Sequence, residues 1–271
     1  MNAQAQQNKQ HRQSKQGKQG AATCFAVIAG PCAVESHEQL TEVATLLNKH
    51  HLHFLRGGAW KPRSNPYTFQ GMGLEGLRIL SEVADTHELK VITELTDVDY
   101  LDEVVKAASF VQVGTRNMAN YALLKKLGKA AGAAGKPVLF KRGMAATVEE
   151  WLQAAEYLTS QGACVIYCER GIRGFDPSMR FTLDLMAVPL VKQLAAAPVV
   201  VDVSHSTGRA DLVIPAARAA LAAGADGIMV EVHPDPAHAK SDGAQSLDLP
   251  QFEALMDALT PLAAVMGRAL C

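Results

Sequence analysis

The chain has 271 residues, a formal net charge of −1 and a pI near 6.8. A nucleic-acid or membrane-surface protein would carry a strong basic excess, so any anion binding must be local. No apolar run is long enough to cross a bilayer, and five irregularly spaced cysteines predict neither a disulfide framework nor a paired CxxC zinc site, which favours a reducing cytoplasm.

The N-terminal segment, residues 1–22, is rich in Gln and Lys and almost free of apolar residues. Such a composition cannot offset the entropy lost on ordering, so we predict a disordered tail. The segment also lacks the apolar region of a signal peptide. The folded domain is therefore expected to occupy residues 23–271.

From residue 23 onward, short apolar runs alternate with longer segments of helical period. Eight β-strands are predicted, over residues 25–30, 53–58, 90–95, 110–114, 137–143, 164–171, 198–205 and 227–234. Helices are predicted over residues 36–50, 74–88, 97–108, 119–134, 147–161, 180–195, 208–223 and 250–268. Several begin with a capping signal, such as Thr147 followed by Glu150.

Strand–helix units with almost continuously apolar strands are typical of a parallel sheet covered by helices. A count of eight favours an α/β fold closed into a single (β/α)8 TIM barrel, with a doubly wound open sheet as the alternative. Six of the apolar runs end in a charged or chelating residue, namely Arg56, Glu94, Lys141, Arg170, His205 and Glu231. In a barrel these ends meet on one rim, where barrel enzymes place their chemistry.

Four residues near that rim form a candidate metal site. Cys32 follows the first strand, and His205 ends the seventh. Glu231 lies in the eighth strand and Asp242 in the loop that follows it. Each residue alone is explained equally well by structure, but strand eight of a barrel closes against strand one. A thiolate, an imidazole and two carboxylates suit a divalent transition metal with an open coordination position.

The same rim is rich in cations. The segment FLRGGAWKPRSNPYTFQG holds Arg56, Lys61 and Arg63 beside paired glycines and two prolines, which alone fits a solvated loop as well as a preformed anion site. Three more cations follow later strands, namely Arg116, Lys141 and Arg170. Buried like charges repel, so this collection predicts bound anions. Arginine forks match phosphate and carboxylate oxygens, and the inventory suits two phosphates and a carboxylate.

Seven stretches carry motifs that are specific in sequence and order: IAGPCAVES, GGAWKPRSNPYTFQG, VGTRNM, LFKRG, CERGIRGF, VDVSHSTG and MVEVHPDPAHAKSDGAQSL. They closely resemble the 3-deoxy-D-arabino-heptulosonate 7-phosphate (DAHP) synthases, in particular the subclass allied to the 3-deoxy-manno-octulosonate 8-phosphate synthases. The resemblance covers the chain from Cys24 to its last residue. It implies a cytoplasmic transferase that condenses phosphoenolpyruvate with D-erythrose 4-phosphate at a divalent metal, the first step of the shikimate pathway to aromatic amino acids.

Carried over by position, the resemblance also implies site residues. The metal ligands fall on Cys32, His205, Glu231 and Asp242. Phosphoenolpyruvate contacts fall on Arg56, Lys61, Arg116, Lys141 and Arg170, and the aldose phosphate pocket on Arg63 and Ser64. The implied catalytic residues are Cys32, Lys61, Glu94 and His205, with Glu94 near the reacting carbons and Lys61 as the proton-transfer group. The implied cofactor is one divalent ion, Mn, Fe, Co or Zn.

Two other functions stay open at this stage. One is an octulosonate synthase that uses arabinose 5-phosphate, and the other is an inactive barrel that binds phosphometabolites. Octulosonate synthases have Lys-Ala-Asn-Arg where this chain has Lys61-Pro62-Arg63, which favours the four-carbon sugar. The resemblance suggests a homodimer or homotetramer and no nucleic-acid or membrane partner. Many relatives carry an N-terminal regulatory domain, which the composition of residues 1–22 leads us not to expect here.

Overall fold

The computed structural model of the chain describes residues 23–63 and 65–271, in which nine β-strands are found. They are β1 (Thr23–Gly30), β2 (Phe54–Arg56), β3 (Lys90–Glu94), β4 (Phe110–Val113), β5 (Val138–Lys141), β6 (Val165–Glu169), β7 (Val199–Asp202), β8 (Gly227–Glu231) and β9 (Arg268–Leu270). Strands β1 to β8 pair in parallel in chain order, and β1 also pairs with β8. The sheet therefore closes, and the predicted barrel is confirmed.

Helices cover the outside of this barrel. They are α1 (His37–Lys49), α2 (Leu74–Thr86), α3 (Leu101–Ala107), α4 (Tyr121–Ala133), α5 (Val148–Thr159), α6 (Ala187–Ala195), α7 (Val203–Thr207), α8 (Val213–Ala222) and α9 (Leu249–Val265). The predicted capping box of α5 is present, since Thr147 and Glu150 bond to each other's backbone N–H. Asp248 and Gln251 cap α9 in the same way. These caps fix where each helix begins relative to the strand before it.

The apolar residues form two layers. The larger one lies between the barrel and the helices, where Trp151, Phe25 and Phe140 are fully buried. The smaller one fills the barrel interior with the side chains of Ile28, Ile92, Leu139, Cys168, Val200 and Met229. A barrel filled in this way is a packed core, so ligands can bind only at its ends.

Several predicted boundaries differ from the structure. The predicted strand 198–205 ends at Asp202, and His205 lies on the short helix α7 instead. The predicted helix 180–195 begins only at Ala187, because residues before it form a loop that pairs Ile172 with Thr182. Strand β9 was not predicted; it pairs with the beginning of β1 at the amino-terminal end of the barrel.

The cysteines were predicted only in part. Cys24 and Cys271 form a single disulfide, with Cα atoms 5.8 Å apart, which the irregular cysteine spacing did not predict. The two cysteines are 247 residues apart in sequence, and the pairing of β9 with β1 brings them together. Cys168 is buried in the barrel, whereas Cys164 is exposed.

Two further expectations concern the chain ends and the membrane. The predicted disordered tail, residues 1–22, lies outside the described residues. Within residues 23–63 and 65–271, every helix is too short or too polar to pass through a lipid bilayer.

Candidate metal and substrate site

The four predicted metal ligands meet at the carboxyl end of the barrel. Cys32 lies in the loop after β1, and His205 lies on α7, directly after β7. Glu231 is the last residue of β8, and Asp242 belongs to the following loop. One donor atom from each lies within 4.8 Å of the others. Parallel pairing of β7, β8 and β1 produces this convergence from residues that are far apart in sequence.

Asp202, the last residue of β7, orients the imidazole of His205. One of its carboxylate oxygens accepts the backbone N–H of His205 at 2.9 Å, and the other lies 2.8 Å from His205 Nδ1. This bond assigns the ring proton to Nδ1, so Nε2 presents a lone pair to the cluster. Nε2 lies 3.3 Å from Glu231 Oε1 and 3.9 Å from Asp242 Oδ2.

Burial and neighbouring charges set the protonation of these ligands. Burial, followed by the Glu231 carboxylate, raises the pKa of the Cys32 thiol to about 12. Burial also lowers the pKa of His205, which keeps the ring neutral. Burial opposes ionisation of Asp242, but the hydrogen bond from Cys32 and the positive charges of Lys61 and Arg180 hold its pKa at about 2. At neutral pH the cluster thus contains a thiol, a neutral imidazole and two carboxylates.

This arrangement fits a divalent metal. The imidazole lone pair of His205 lies 3.3 Å from the Glu231 carboxylate and 3.9 Å from the Asp242 carboxylate, and such acceptors repel unless a cation lies between them. Cys32 Sγ contacts Asp242 Oδ2 at 3.0 Å and is close enough to join the same ion. Thiolate, imidazole and carboxylate together are ligands that zinc, iron, cobalt or manganese accept.

Two of the predicted anion-binding cations are already paired inside the barrel. Arg56 donates to Glu231 Oε1 at 2.9 Å, and Lys141 donates to Asp202 Oδ2 at 2.5 Å. All four side chains are at most 6% exposed. Protein carboxylates already balance these two charges, so Arg56 and Lys141 do not require bound anions, contrary to the prediction.

Other predicted cations border an open cavity above the metal ligands. Lys61, Arg116 and Arg170 line it, together with Arg63 and Lys141. Arg170 is buried, donates only to the backbone carbonyls of Gly171 and His205 among the described residues, and stacks 3.9 Å above the ring of Phe181. Its guanidinium has no carboxylate partner there, which leaves it suited to an anionic ligand.

Lys61 connects the cation-rich loop to the metal ligands. Its ammonium group donates to Cys32 Sγ at 2.9 Å and to the Cys32 carbonyl at 3.1 Å. The base of this loop is closed by the Lys61 N–H, which donates to the Gln70 carbonyl at 2.8 Å. An ammonium group placed beside the cluster can move a proton to or from a substrate bound there.

Glu94, at the end of β3, also lines the cavity. Gln112 on the neighbouring strand β4 donates to Glu94 Oε2 at 3.0 Å. A methyl group at Gly114 would lie 2.0 Å from Glu94 Oε1, so only glycine leaves room for this carboxylate. Glu94 is therefore held in place on two sides.

The outer part of the cavity is built from loops. Arg63 donates to Ser241 Oγ at 2.7 Å and to Thr68 Oγ1 at 3.3 Å. Arg180 donates to Asp242 at 3.3 Å and to Gln245 at 2.9 Å, and its side chain is 42% exposed. Ser64, the second residue predicted for an aldose phosphate pocket, lies outside the described residues.

Sequence reasoning missed three residues of this site. Asp202 ends an apolar strand exactly as the predicted residues do, so the same rule would have identified it. Gln112 lies in a strand interior, and its uncharged side chain gave no signal. Arg180 was assigned to a helix, and its contacts are 62 and 65 residues away in sequence.

A protein family and several characterised proteins match this chain over most of its length. The family model described as the DAHP synthetase I family matches residues 3–265. A phospho-2-dehydro-3-deoxyheptonate aldolase of Thermotoga maritima is 49% identical over 244 residues, which covers 90% of this chain and 71% of that protein. A 2-dehydro-3-deoxyphosphooctonate aldolase of a Bradyrhizobium species is 31% identical over 251 residues, which covers 85% of each.

Two solved structures are similar to this chain in both fold and sequence. A crystal structure of the Thermotoga maritima phospho-2-dehydro-3-deoxyheptonate aldolase has a TM-score of 0.88 at 47% identity, and covers 92% of this chain and 72% of that one. A truncated form of the 3-deoxy-D-arabino-heptulosonate 7-phosphate synthase of the same organism has a TM-score of 0.84 at 45% identity, and covers 92% and 90%.

Proposed function

Because this chain belongs to the DAHP synthetase I family, we propose that it carries out its synthase reaction at a divalent metal held by Cys32, His205, Glu231 and Asp242. The activity is that of a DAHP synthase: phosphoenolpyruvate, D-erythrose 4-phosphate and water give 3-deoxy-D-arabino-heptulosonate 7-phosphate and phosphate. The observation that carries the proposal is the gathering of four metal-binding side chains beneath a cavity lined by cations. A single basic cavity beside a metal site suits a pair of phosphorylated substrates.

Phosphoenolpyruvate is placed in the inner part of the cavity. Arg170 and Arg116 offer guanidinium groups to its phosphate and carboxylate, and Lys61 approaches from the metal side. Arg56 and Lys141 lie deeper and are already paired with carboxylates. They contribute positive potential, and their remaining N–H groups can still donate to the substrate. Such fixed charges orient the enol carbon toward the second substrate.

Erythrose 4-phosphate is placed with its aldehyde at the metal and its phosphate at the outer loops. Arg63 donates to the hydroxyls of Ser241 and Thr68, and Arg180 donates to Gln245 and, at 3.3 Å, to the partly exposed Asp242 carboxylate. Exchanging these weak partners for a phosphate dianion gains charge-assisted bonds. Ser64, next to Arg63 in sequence, is proposed as a third donor.

The chemistry forms one carbon–carbon bond and breaks one carbon–oxygen bond. When bound, the ion supplies Lewis-acid polarisation of the aldehyde carbonyl. C3 of phosphoenolpyruvate attacks the aldehyde carbon, and Lys61 gives a proton to the oxygen that becomes a hydroxyl. Water adds to C2, with Glu94 placed to accept its proton. The C2–O bond to phosphate then breaks, phosphate leaves, and C2 becomes the ketone.

One assay tests the function and the metal together. The purified protein is incubated with phosphoenolpyruvate and either erythrose 4-phosphate or arabinose 5-phosphate, before and after exhaustive chelation, and released phosphate is measured. We expect release with erythrose 4-phosphate only, loss of activity on chelation, and recovery with Mn²⁺, Co²⁺, Fe²⁺ or Zn²⁺. Full turnover after chelation would remove the metal from the proposal.

The arabinose arm of the assay addresses the second function predicted above. The octulosonate aldolase relative is 31% identical, against 49% for the heptonate aldolase. The Pro62 of Lys61-Pro62-Arg63 lines the cavity, next to the proposed aldose phosphate pocket. Phosphate release with arabinose 5-phosphate instead would overturn the assignment of the four-carbon sugar, and release with neither would favour an inactive barrel.

Three expectations remain proposals. We propose that residues 1–22 are a separate tail on a catalytic barrel formed by residues 23–271, and that the enzyme is a homodimer or homotetramer, as the family resemblance suggests. A cytoplasmic location is proposed from the enzyme's substrates. The Cys24–Cys271 disulfide runs against it, since disulfides are rare in reducing compartments.

A further inference from the structure

A carboxylate outside the proposed metal cluster joins the loops that carry its ligands. Glu35 lies three residues after Cys32 and two residues before α1, and its side chain is 12% exposed. Glu35 Oε1 accepts the backbone N–H of Lys240 at 2.9 Å. Lys240 lies two residues before Asp242, so this single bond ties the loop of one ligand to the loop of another.

The same oxygen of Glu35 also faces the segment that follows β8, the strand that ends in Glu231. His233, two residues after Glu231, has Nε2 3.6 Å from Glu35 Oε1. Its Nδ1 accepts the backbone N–H of Asp235 at 2.9 Å, so the ring proton lies on Nε2. Nε2 is buried without a hydrogen-bond partner among the described residues, and a buried donor of this kind requires an acceptor. Glu35 is the carboxylate placed to supply it.

Glu35 is itself held by a residue of helix α1, which begins two residues later. Its backbone N–H donates to Gln39 Oε1 at 3.0 Å, and Gln39 Nε2 donates to the carbonyl of Ala33 at 3.2 Å. The chain around Glu35 is therefore rigid on the side of Cys32. The carboxylate can transmit that rigidity to the loop of Asp242 through the Lys240 N–H.

The Asp242 loop needs such support. Asp242 adopts a left-handed backbone conformation with φ 53° and ψ 32°, which a residue other than glycine keeps only when its surroundings impose it. It precedes a short 3-10 segment, Gly243–Gln245, and belongs to neither a strand nor a long helix. A ligand on such a loop would drift without an external anchor.

We propose that Glu35 is a positioning residue for the metal centre: it holds the Asp242 loop against the Cys32 loop, with His233 as a second contact. This inference rests on the metal site proposed above. Outer residues that orient metal ligands typically change metal affinity by about 10- to 100-fold when they are removed. The role depends on an accepting oxygen at Oε1 and not on negative charge, because the Lys240 N–H and the His233 N–H are both neutral donors.

Variants at Glu35 separate the accepting oxygen from the charge. Glu35→Ala removes the acceptor, Glu35→Gln keeps it without the charge, and Glu35→Asp withdraws it by about one C–C bond. We expect Co²⁺ affinity, measured from the thiolate-to-cobalt absorption band, to fall about 10- to 100-fold in Glu35→Ala and by less in Glu35→Asp. The Co²⁺ affinity of Glu35→Gln is expected to lie within about threefold of the parent value. The same is expected of Glu42→Ala, a control on the exposed side of α1.

A double-mutant cycle shows whether Glu35 acts through Asp242. In an Asp242→Ala background the loop no longer carries a ligand, so adding Glu35→Ala should weaken Co²⁺ binding little further. Fully additive losses would overturn the proposed route, and parent-like affinity in Glu35→Ala would overturn the role itself. If Glu35→Ala does not fold, Glu35→Asp and Glu35→Gln decide the question by the same comparison. If the parent protein binds no Co²⁺, the metal site and this inference both fail.

Discussion

The inner and outer halves of the proposed active site are built on opposite principles. In the inner half, strand ends hold Arg56 against Glu231 and Lys141 against Asp202, and these side chains are at most 6% exposed. In the outer half, loops present Arg63 and Arg180, and the Arg180 side chain is 42% exposed. Each inner cation is paired with a fully buried carboxylate, whereas Arg63 donates to hydroxyl groups and Arg180 forms only a partly exposed pair with Asp242.

The difference follows from burial. An unpaired charge inside a barrel is costly, so residues there must be matched by partners in fixed positions. Paired and rigid groups can define where bonds form and break. Hydrated arginines on loops cost little to leave unpaired and can adapt to a phosphate. The inner half is thus expected to set the chemistry and the outer half to set which aldose is accepted.

Removing a metal ligand should give the largest effect and tests the inner half directly. For Cys32→Ala we expect kcat/KM to fall by at least about 10³-fold, because several kcal/mol of electrostatic stabilisation depend on the ion. The circular dichroism spectrum should be unchanged, and bound metal, measured by atomic emission, should be lost. Cys164→Ala, at an exposed free cysteine, is the matched control and should behave as the parent. Full activity of Cys32→Ala would remove Cys32 from the site.

Neutralising Asp202 should cost both stability and activity, since it serves Lys141 and His205 together. Breaking a buried ion pair by removing one partner costs about 3 to 5 kcal/mol, so Asp202→Asn should lower the free energy of unfolding in urea by about 3 kcal/mol. The matched control is Asp211→Asn, whose pair with Arg209 is exposed and should cost far less stability. Equal losses for the two variants would show that the inner half is not special.

The outer half should govern the aldose substrate alone. For Arg63→Ala and Arg180→Ala we expect KM for erythrose 4-phosphate to rise roughly 10- to 100-fold, the range given by one lost charge-assisted bond. Steady-state kinetics should show KM for phosphoenolpyruvate within about twofold of the parent. Arg78→Ala, on the exposed face of α2, is the control. A larger change in KM for phosphoenolpyruvate than for the aldose would reverse our placement of the two substrates.

Proton release on metal binding should give the smallest effect. Burial raises the pKa of Cys32 to about 12, so the thiol keeps its proton at pH 7 in the metal-free protein. A coordinated thiolate has lost that proton, whereas His205, whose pKa is lowered, has none to release. Calorimetry in buffers of different ionisation enthalpy should find about one proton released, and metal affinity should rise about tenfold per pH unit. Binding without proton release would contradict a thiolate ligand.

The inner half was also the part that the sequence could predict. Parallel strands of a closed barrel all end on one rim, so a polar residue after each apolar run could be located without knowing the loops. All eight barrel strands were predicted from their apolar runs, although their ends were not. The predicted strand through His205 was wrong because Asp202 caps a short helix there, a local hydrogen bond that apolar periodicity does not reveal.

The outer half could not be predicted in this way. Arg180 contacts Asp242 across 62 residues through two loops, and neither loop has a period or a fixed length rule. Glu35 gave no signal either, because its partner is a backbone N–H that every residue but proline offers. Contacts of loops with loops depend on tertiary packing, which the spacing of residues in the sequence does not encode.

The pairing of β9 with β1 has a consequence for the order of the chain. Val27 N–H donates to the Cys271 carbonyl at 2.9 Å, and Cys271 N–H donates to the Phe25 carbonyl at 3.1 Å. The two ends of the barrel sequence thus lie side by side at the face opposite the site. Circular permutation is tolerated where termini are close and surface-exposed. A chain in which a short linker joins residue 271 to residue 23, with new ends opened at Gly135 on the same face, would keep every strand end of the active site in its present register.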